Sequence, residues 1–464
     1  PQVKRIVEIS KTDCKQITTS MKLENILGIN ARTQLYSYKY NSKKGKKLAN
    51  SKIQTARVLK KADIASPAIY KKFNKPFDIE DFNWESLPDS FALKPSRGLG
   101  GEGIVIVKKR ADEDKIKTGN GNGRKAPGEW ITTQRVRVKI DDLKLHTQDI
   151  LEGAYSMGNV PDVAFIQEYV GRHKAFRKYA YRGTPDIRII IFNKVPVMAM
   201  LRLPTKESGG RANLHQGAIG VGVDIATGIT TKAIWHGVQI RLKPGTNRKL
   251  HGIKIPNWTK ALELAVRAQI ASGLGYLGAD IVLHPDKGPM ILELNAQPGL
   301  QIQLANMVGL KKRLEKIEDL EVRDAEHGVN IAKALFAERF ADRVKAEEGV
   351  ITIKAVEEIK VISVNGEKVS VSAKIDTGAW TSSIDKEFAK GLGIYQPNKI
   401  LWYKKAISAL GREKRPVINV TFWLAGRKIT TTMTVSNRRN LTYKVNIGRT
   451  ELGGFLVSAE VPKI

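Results

Sequence analysis

Asp280, Glu293 and Asn295 are oxygen-bearing side chains set among apolar neighbours in the stretch from Leu277 to Leu300. A carboxylate in such a setting is costly unless it is paired or bound to a cation. An all-oxygen set suits Mg²⁺, which is usually held by one or two carboxylates together with substrate phosphates. The apolar runs Ala279–Leu283 and Pro289–Leu294 flank His284-Pro-Asp-Lys-Gly288, so the stretch predicts a β-hairpin. Glu293 and Asn295, two residues apart, then share one face. Taken alone, the same pattern also describes a solvated hairpin face.

A second signal lies upstream. The segment Phe91-Ala-Leu-Lys94-Pro-Ser96-Arg-Gly98-Leu-Gly100-Gly101-Glu-Gly103 puts a lysine at a predicted strand end and glycines on the approach to the next strand, Gly103–Val107. Glycines let backbone N–H groups close over phosphate oxygens, and the lysine supplies a point charge. No Gly-Lys-Ser/Thr follows and no helix opens, so this is not a Walker loop. A plain hairpin is the competing reading, and the acidic hairpin downstream weighs against it.

The elements that must position these groups follow from periodicity and turn residues. Val163–Val170, Ile187–Phe192 and Val195–Leu203 predict strands, the last two joined by Asn193-Lys194. Helical spacing marks Leu23–Leu27, Ser51–Lys61, Trp258 to Ser272, and Gly328 to about Arg343. Ala111–Gly128, rich in glycine and polar residues, predicts a loop excursion.

Several motifs together resemble the ATP-grasp superfamily, specifically the α-L-glutamate ligase-like proteins related to the ribosomal-protein glutamate ligase. They are Ser51-Lys52, Lys94-Pro-Ser-Arg-Gly-Leu-Gly-Gly101, Ile166-Gln-Glu-Tyr-Val170, Asp186-Ile-Arg188, Met200-Leu-Arg202, Asn213-Leu-His-Gln-Gly217 and Glu293-Leu-Asn-Ala-Gln-Pro-Gly299. The resemblance implies an α+β ATP-grasp fold, two subdomains clasping ATP. It implies that Lys52 and Lys94 contact ATP phosphates, together with the Ser96, Gly98, Gly100 and Gly101 loop and Asn213. Gln167, Glu168 and Val170 would line the adenine and ribose pocket, and Asp280, Glu293 and Asn295 would carry Mg²⁺, with Mn²⁺ as the alternative ion. The implied activity is ATP-dependent carboxylate–amine ligation through an acyl phosphate, adding an amino acid such as glutamate to a peptide or protein. Arg202 is assigned to the acyl oxygens and Arg188 to a carboxylate or phosphate clamp, since bidentate geometry favours arginine. Surface charge is the alternative for both arginines, and for His215 a structural role stands beside a catalytic one. The pre-ATP domain of relatives is expected to be reduced to a short segment before Lys52.

Further on, Val371-Ser-Ala-Lys-Ile-Asp376-Thr-Gly-Ala-Trp and Val445-Asn-Ile-Gly448-Arg449 sit in short Val/Ile/Thr-rich segments. They resemble the active-site loop and the apolar-Gly-Arg segment of retropepsin-like aspartic proteases, and the region resembles the ATP-dependent zinc protease family. Neither His-Glu-x-x-His nor a Cys/His cluster occurs, so zinc is not predicted. A small all-β barrel is expected. A single Asp376 per chain would need a symmetric homodimer for peptidase chemistry, because two carboxylates must share a proton. The alternative function is a retropepsin-like peptidase or peptide-binding module with a nucleotide-sensing ATP-grasp domain.

The chain has 464 residues and carries 78 Lys plus Arg against 46 Asp plus Glu, a net +32 that calls for an anionic partner. An acidic acceptor peptide or protein fits this balance. Direct nucleic-acid binding is not favoured, since no aromatic-interleaved or Cys/His signature accompanies the charge. One cysteine, Cys14, excludes an intrachain disulfide, and no apolar run spans a bilayer, so the cytoplasm is the expected compartment. The expected division is an N-terminal segment 1–45, a ligase domain 46–340, a linker 341–350 and a retropepsin-like domain 351–464.

Overall fold

A computed structural model describes residues 23–98, 100–112, 125–156, 158–337, 351–408 and 411–458. The chain divides into two compact units, 1–329 and 330–464. The linker expected at 341–350 and Cys14 lie outside the described residues.

The first unit holds two antiparallel sheets. One contains β1 (Ile69–Phe73), β2 (Phe91–Pro95), β3 (Val105–Asp112), β4 (Lys125–Thr132), β5 (Arg137–Lys139) and β6 (Ala164–Glu168), ordered β1-β6-β2-β3-β4-β5. Its apolar face buries Phe73, Trp84, Phe91, Leu93, Trp130 and Ile166 in one core. The expected excursion at Ala111–Gly128 begins and ends as strand, since β3 runs to Asp112 and β4 starts at Lys125; residues 113–124 lie outside the description.

The other sheet comprises β7 (Asp186–Phe192), β8 (Val195–Leu203), β9 (Ile219–Val223), β10 (Thr230–Trp235), β11 (Val238–Ile240), β12 (Tyr276–His284) and β13 (Gly288–Asn295), ordered β11-β10-β9-β8-β7-β12-β13. The β7–β8 link turns on Asn193 and Lys194, both at positive φ (48° and 60°), as a two-residue hairpin of matching twist requires. Helix α1 (Lys52–Lys61) starts at Ser51, whose side chain accepts from Gln54 N, and buries Thr55 and Leu59. Helix α2 (Trp258–Ser272) buries Ala261, Leu262, Ala265 and Val266 and stops at Gly273, φ 65°, a left-handed position that glycine occupies without strain.

Residues 23–45 pack onto this unit through buried bonds. Asn41 Nδ2 donates to Tyr276 O at 2.7 Å and its Oδ1 accepts from Tyr276 N at 2.9 Å. Leu27 N donates to Gln303 Oε1 at 2.9 Å, and Tyr36 meets Phe192 edge-on with centroids 5.4 Å apart. The Asn41 bonds satisfy backbone groups at the start of β12 that would otherwise be orphaned.

In the second unit β14 (Ile351–Ile353) pairs in parallel with β22 (Phe455–Val457). The strands β15 (Val356–Ile362), β16 (Lys368–Asp376), β17 (Ser383–Asp385), β18 (Ile400–Ser408), β19 (Gly411–Leu424), β20 (Arg427–Ser436) and β21 (Val445–Gly448) run β15-β16-β21-β17-β20-β19-β18. A β15–β19 pairing closes the ring, giving the small all-β barrel. Ile359, Ala373, Ile384, Ile418, Phe422 and Met433 fill it. Among the described residues, no helix is long and apolar enough to cross a membrane.

Candidate functional site

Register assembles the site. On the second sheet Asp280 pairs with Glu293 across β12–β13 and with Arg188 across β12–β7, while Asp186 pairs with Arg202 across β7–β8. Directly opposed residues share a face, so these five and Asn295 project from one side. The β12–β13 pairing shifts between Asp280 and Ile281, leaving Leu292 as the extra residue of a bulge. Counting back from His284–Gly288 without that bulge would set Asp280 opposite Leu292 and turn it away from Glu293.

The charges interlock. Arg188 donates from Nε to Asp280 Oδ1 at 2.7 Å and from Nη2 to Oδ2 at 2.6 Å. Arg202 donates from Nε to Asp186 Oδ1 at 2.5 Å, and from Nη2 to Asp186 Oδ2 at 2.7 Å and Asp280 Oδ2 at 2.6 Å. Burial alone would raise the Asp280 carboxyl, but the two guanidinium groups outweigh it and hold the carboxyl well below the usual range. Asp186 goes the other way: burial and the Asp280 charge push it up to about 6 against the pull of Arg202. Both arginines are therefore built into a buried network, and the surface-charge alternative falls.

Asn295 Nδ2 lies 3.5 Å from Asp280 Oδ2 and 3.3 Å from Glu293 Oε1, so a donor already bridges the two carboxylates where a cation would sit. Turning the amide over presents Asn295 Oδ1 at the same place. The three expected metal donors are thus brought together, but unequally. Asp280 takes three guanidinium donors on its two oxygens, which leaves it fewer lone pairs for a cation. Glu293 and Asn295 carry the uncommitted lone pairs. Among the described residues, no group of three His, Cys, Asp or Glu side chains forms a metal cluster without the amide.

The first sheet supplies the cations. Lys94 is 9% exposed and donates to Gln167 Oε1 at 2.9 Å, while Gln167 Nε2 donates to Pro67 O at 3.2 Å. Burial, then the charge of Lys52, push the Lys94 ammonium down to about 8, with Glu293 opposing. Lys94 thus feels groups from both flanks of the cleft. Lys52 donates to Gly98 O at 2.8 Å, and the Ser51 and Ser96 hydroxyls bond at 3.1 Å, fastening α1 to the glycine-rich turn. Gly100 and Gly101 have φ of 62° and 84°, and Asn213 Nδ2 reaches Gly100 O at 3.4 Å.

Val170 packs with Val282, Met290 and Leu292 in a small apolar cluster suited to a planar ring. Glu168 accepts from Ala68 N at 3.1 Å and pairs with Lys287, with His284 3.7 Å away. Burial would raise Glu168, but Lys287, Ala68 N–H and His284 together hold it low. Its carboxylate is thus held between Ala68 N–H and Lys287. His215 is exposed and its backbone N–H is capped by Asn213 Oδ1 at 3.0 Å.

A model of the sugar-transfer associated ATP-grasp family matches residues 31–319. The chain belongs to that family. No curated protein matches it. Among solved structures, the ATP-grasp ligase PsnB complexed with minimal precursor is 14% identical, with 60% of this chain and 61% of PsnB covered and a TM-score of 0.30. The chain thus spans less than two thirds of PsnB. D-alanine–D-alanine ligase from Bacillus anthracis complexed with ATP is 13% identical, with 67% and 71% covered and a TM-score of 0.32. The protease of Simian Foamy Virus (mac) is 15% identical, with 21% of this chain and 90% of that chain covered and a TM-score of 0.16.

In ATP-grasp terms the cleft groups lie inside the matched span, as does Asp186, which sequence reading placed in a motif but assigned no part. Its signal was the Asp-x-Arg spacing, which puts both side chains on one face of a strand. Asp376 belongs to the other unit. Its Oδ1 accepts from Gly378 N and Ala379 N, both at 3.0 Å, and Asn446 Nδ2 donates to Oδ2 at 3.2 Å. Burial works against ionisation there, but those three donors win and hold the carboxyl low.

Proposed function

We propose that this protein is an ATP- and Mg²⁺-dependent carboxylate–amine ligase that adds an amino acid, glutamate being the first candidate, to an acidic peptide or protein. The observation that carries this reading is the charged face of the second sheet, with Asp280, Glu293 and Asn295 converging beside two anchored guanidinium groups and within the field of Lys94. A carboxylate oxygen of the substrate attacks the γ-phosphorus, the bond to the β,γ-bridging oxygen breaks, and ADP leaves with that electron pair. An amine then adds to the acyl phosphate and phosphate departs. Lys52 and Lys94 bind and orient the phosphates, and Glu293 and Asn295 would hold Mg²⁺. When bound, the ion spreads the charge of the transferring phosphoryl group. Arg188 and Arg202, fixed by carboxylates through Nε and Nη2, keep Nη1 for an acyl or phosphate oxygen; rigid donors stabilise developing charge at little reorganisation cost.

Mass spectrometry of products formed from ATP, Mg²⁺, single amino acids and acidic peptides tests this. Peptide mass should rise as ADP appears. Unchanged ADP release in Lys94→Met or Glu293→Gln would remove the ligase reading.

A second reading concerns the barrel. Asp376 lies in register with Gly448 across the parallel β16–β21 pair, and a Cβ on Gly448 would come 2.7 Å from Thr381 C. That close approach of two loops supports a retropepsin-like site, completed by Asp376 of a second copy. Cleavage of a denatured protein that rises more steeply than enzyme concentration and vanishes in Asp376→Asn would establish it. No cleavage at any concentration would leave the barrel as a peptide-binding module.

A further inference from the structure

A basic basin opens on the first unit, lined by residues other than those assigned to ATP. It has a volume of about 460 Å³ and is lined by Lys108, Lys109, Arg135, Arg172 and Arg182, with two threonines and one isoleucine completing the wall. That volume lies within the roughly 300–1,000 Å³ of small-ligand sites. None of the lining residues is acidic, and none is Lys52, Lys94 or Glu293.

Three separate segments build it. Lys108 and Lys109 come from β3, and Arg135 from the β4–β5 turn, where its own φ is 70°. Arg172 and Arg182 come from the segment between β6 and β7. Arg182 latches onto that turn, donating from Nη1 to Gln134 O at 3.1 Å, and Arg172 donates from Nη1 to Ala180 O at 2.6 Å. Arg172 Nε is shut off from solvent and has no hydrogen-bond partner among the described residues. Arg172 and Arg182 are thus held by backbone carbonyls, which fix their geometry without cancelling their charge. Lys109, by contrast, is paired with Asp112 at 2.6 Å where both are well exposed, so the pair is weak. Nearby, burial first and then the charges of Arg248 and Arg172 push the Lys243 ammonium down.

Like charges gathered without counter-charges repel one another, and such a field concentrates an anionic ligand. The chemistry narrows which one. Guanidinium forks match carboxylate and phosphate geometry. Five cations around a basin of this size bring more positive charge than a single phosphate would balance, and no glycine turn lines the wall. No aromatic ring lines it either, so bases have no platform on which to stack.

We propose that this basin binds an acidic peptide segment through at least two of its carboxylates. The binding stands independently of ligation; only its part as the docking subsite for the acceptor rests on the ligase reading.

Fluorescence polarisation of labelled hexaglutamate on the full chain, without nucleotide, tests it. The peptide should bind, more weakly at higher salt, and Arg135→Glu with Arg182→Glu should weaken it by about 10-fold or more. Arg135→Gln with Arg182→Gln, which removes charge without reversing it, should give a smaller loss with an unchanged melting profile. Lys94→Met should keep peptide binding while losing nucleotide binding, so failure of the ligase reading leaves this one standing. Equal binding of hexaglutamine, or an equal loss in the distant exposed pair Lys43→Glu with Lys44→Glu, would overturn the proposal. So would displacement of the peptide by ATP, by inorganic phosphate or by a short oligothymidylate at matched charge.

Discussion

Lys94 Nζ lies 2.9 Å from Gln167 Oε1 in a site that leaves the lysine 9% exposed, so its charge is answered by an amide rather than a carboxylate. Register sets this up: Ala92 pairs with Gln167 and Lys94 with Phe165 across β2–β6. A triphosphate would supply the missing counter-charge.

The pH dependence of nucleotide binding follows. With its ammonium pushed down to about 8, Lys94 loses its proton in the free protein as pH rises through that value. Phosphate binding favours the charged form, so affinity should hold below pH 8 and fall above it, with proton uptake on binding. Calorimetry near pH 8.5 (~0.5 unit above the midpoint) in buffers of different ionisation enthalpy reads that uptake directly, and Lys94→Met should abolish it. The sign for stability is opposite. Native Lys94 binds fewer protons than the unfolded chain between about 8 and the ordinary lysine value of 10.5, so its destabilising effect is relieved across that window.

Glu293 accepts from the Asn295 amide rather than from a guanidinium group, which leaves it the most available carboxylate of the acidic cluster. Glu293→Gln should raise the Mg²⁺ concentration needed for half-maximal ADP release by at least about 10–100-fold, the loss typical of removing even an outer partner of a metal ligand. Titration with Mg²⁺ at saturating ATP checks this, and circular dichroism should remain unchanged.

Asp186 and Arg202 are 9% and 11% exposed at their side chains and form a two-point pair. Arg202→Met should lower stability by about 3–5 kcal/mol, because it strands the buried Asp186 carboxyl, and Asp186→Asn by less, because Arg202 keeps Asp280 as a partner. The double substitution should recover part of that loss. Denaturant unfolding of the four proteins measures the coupling, and strict additivity would show that the pair is not a unit.

Gly448→Ala tests the barrel. The added Cβ would meet Thr381 backbone carbon at 2.7 Å, which neither chain can yield by a side-chain rotation. Overpacking of this kind costs about 1–3 kcal/mol. The unfolding midpoint should drop while nucleotide affinity stays the same.

The sequence by itself determined the chemical inventory and most of the strands. The hairpin's Asp280, Glu293 and Asn295, the glycine-rich turn after Lys94 and the apolar runs of β7, β8, β12 and β13 are local signals, set by backbone freedom and residue type. It also showed that the chain changes character toward an all-β end. Tertiary structure alone decided which charged groups meet. One inserted residue at Leu292 puts Asp280 opposite Glu293, and an unbulged hairpin of the same residues would separate them. The integration of residues 23–45 through Asn41 and Leu27, and the gathering of Arg135, Arg172 and Arg182, likewise rest on long-range pairings. Such partners are far apart in the chain, so no window of local sequence contains them both.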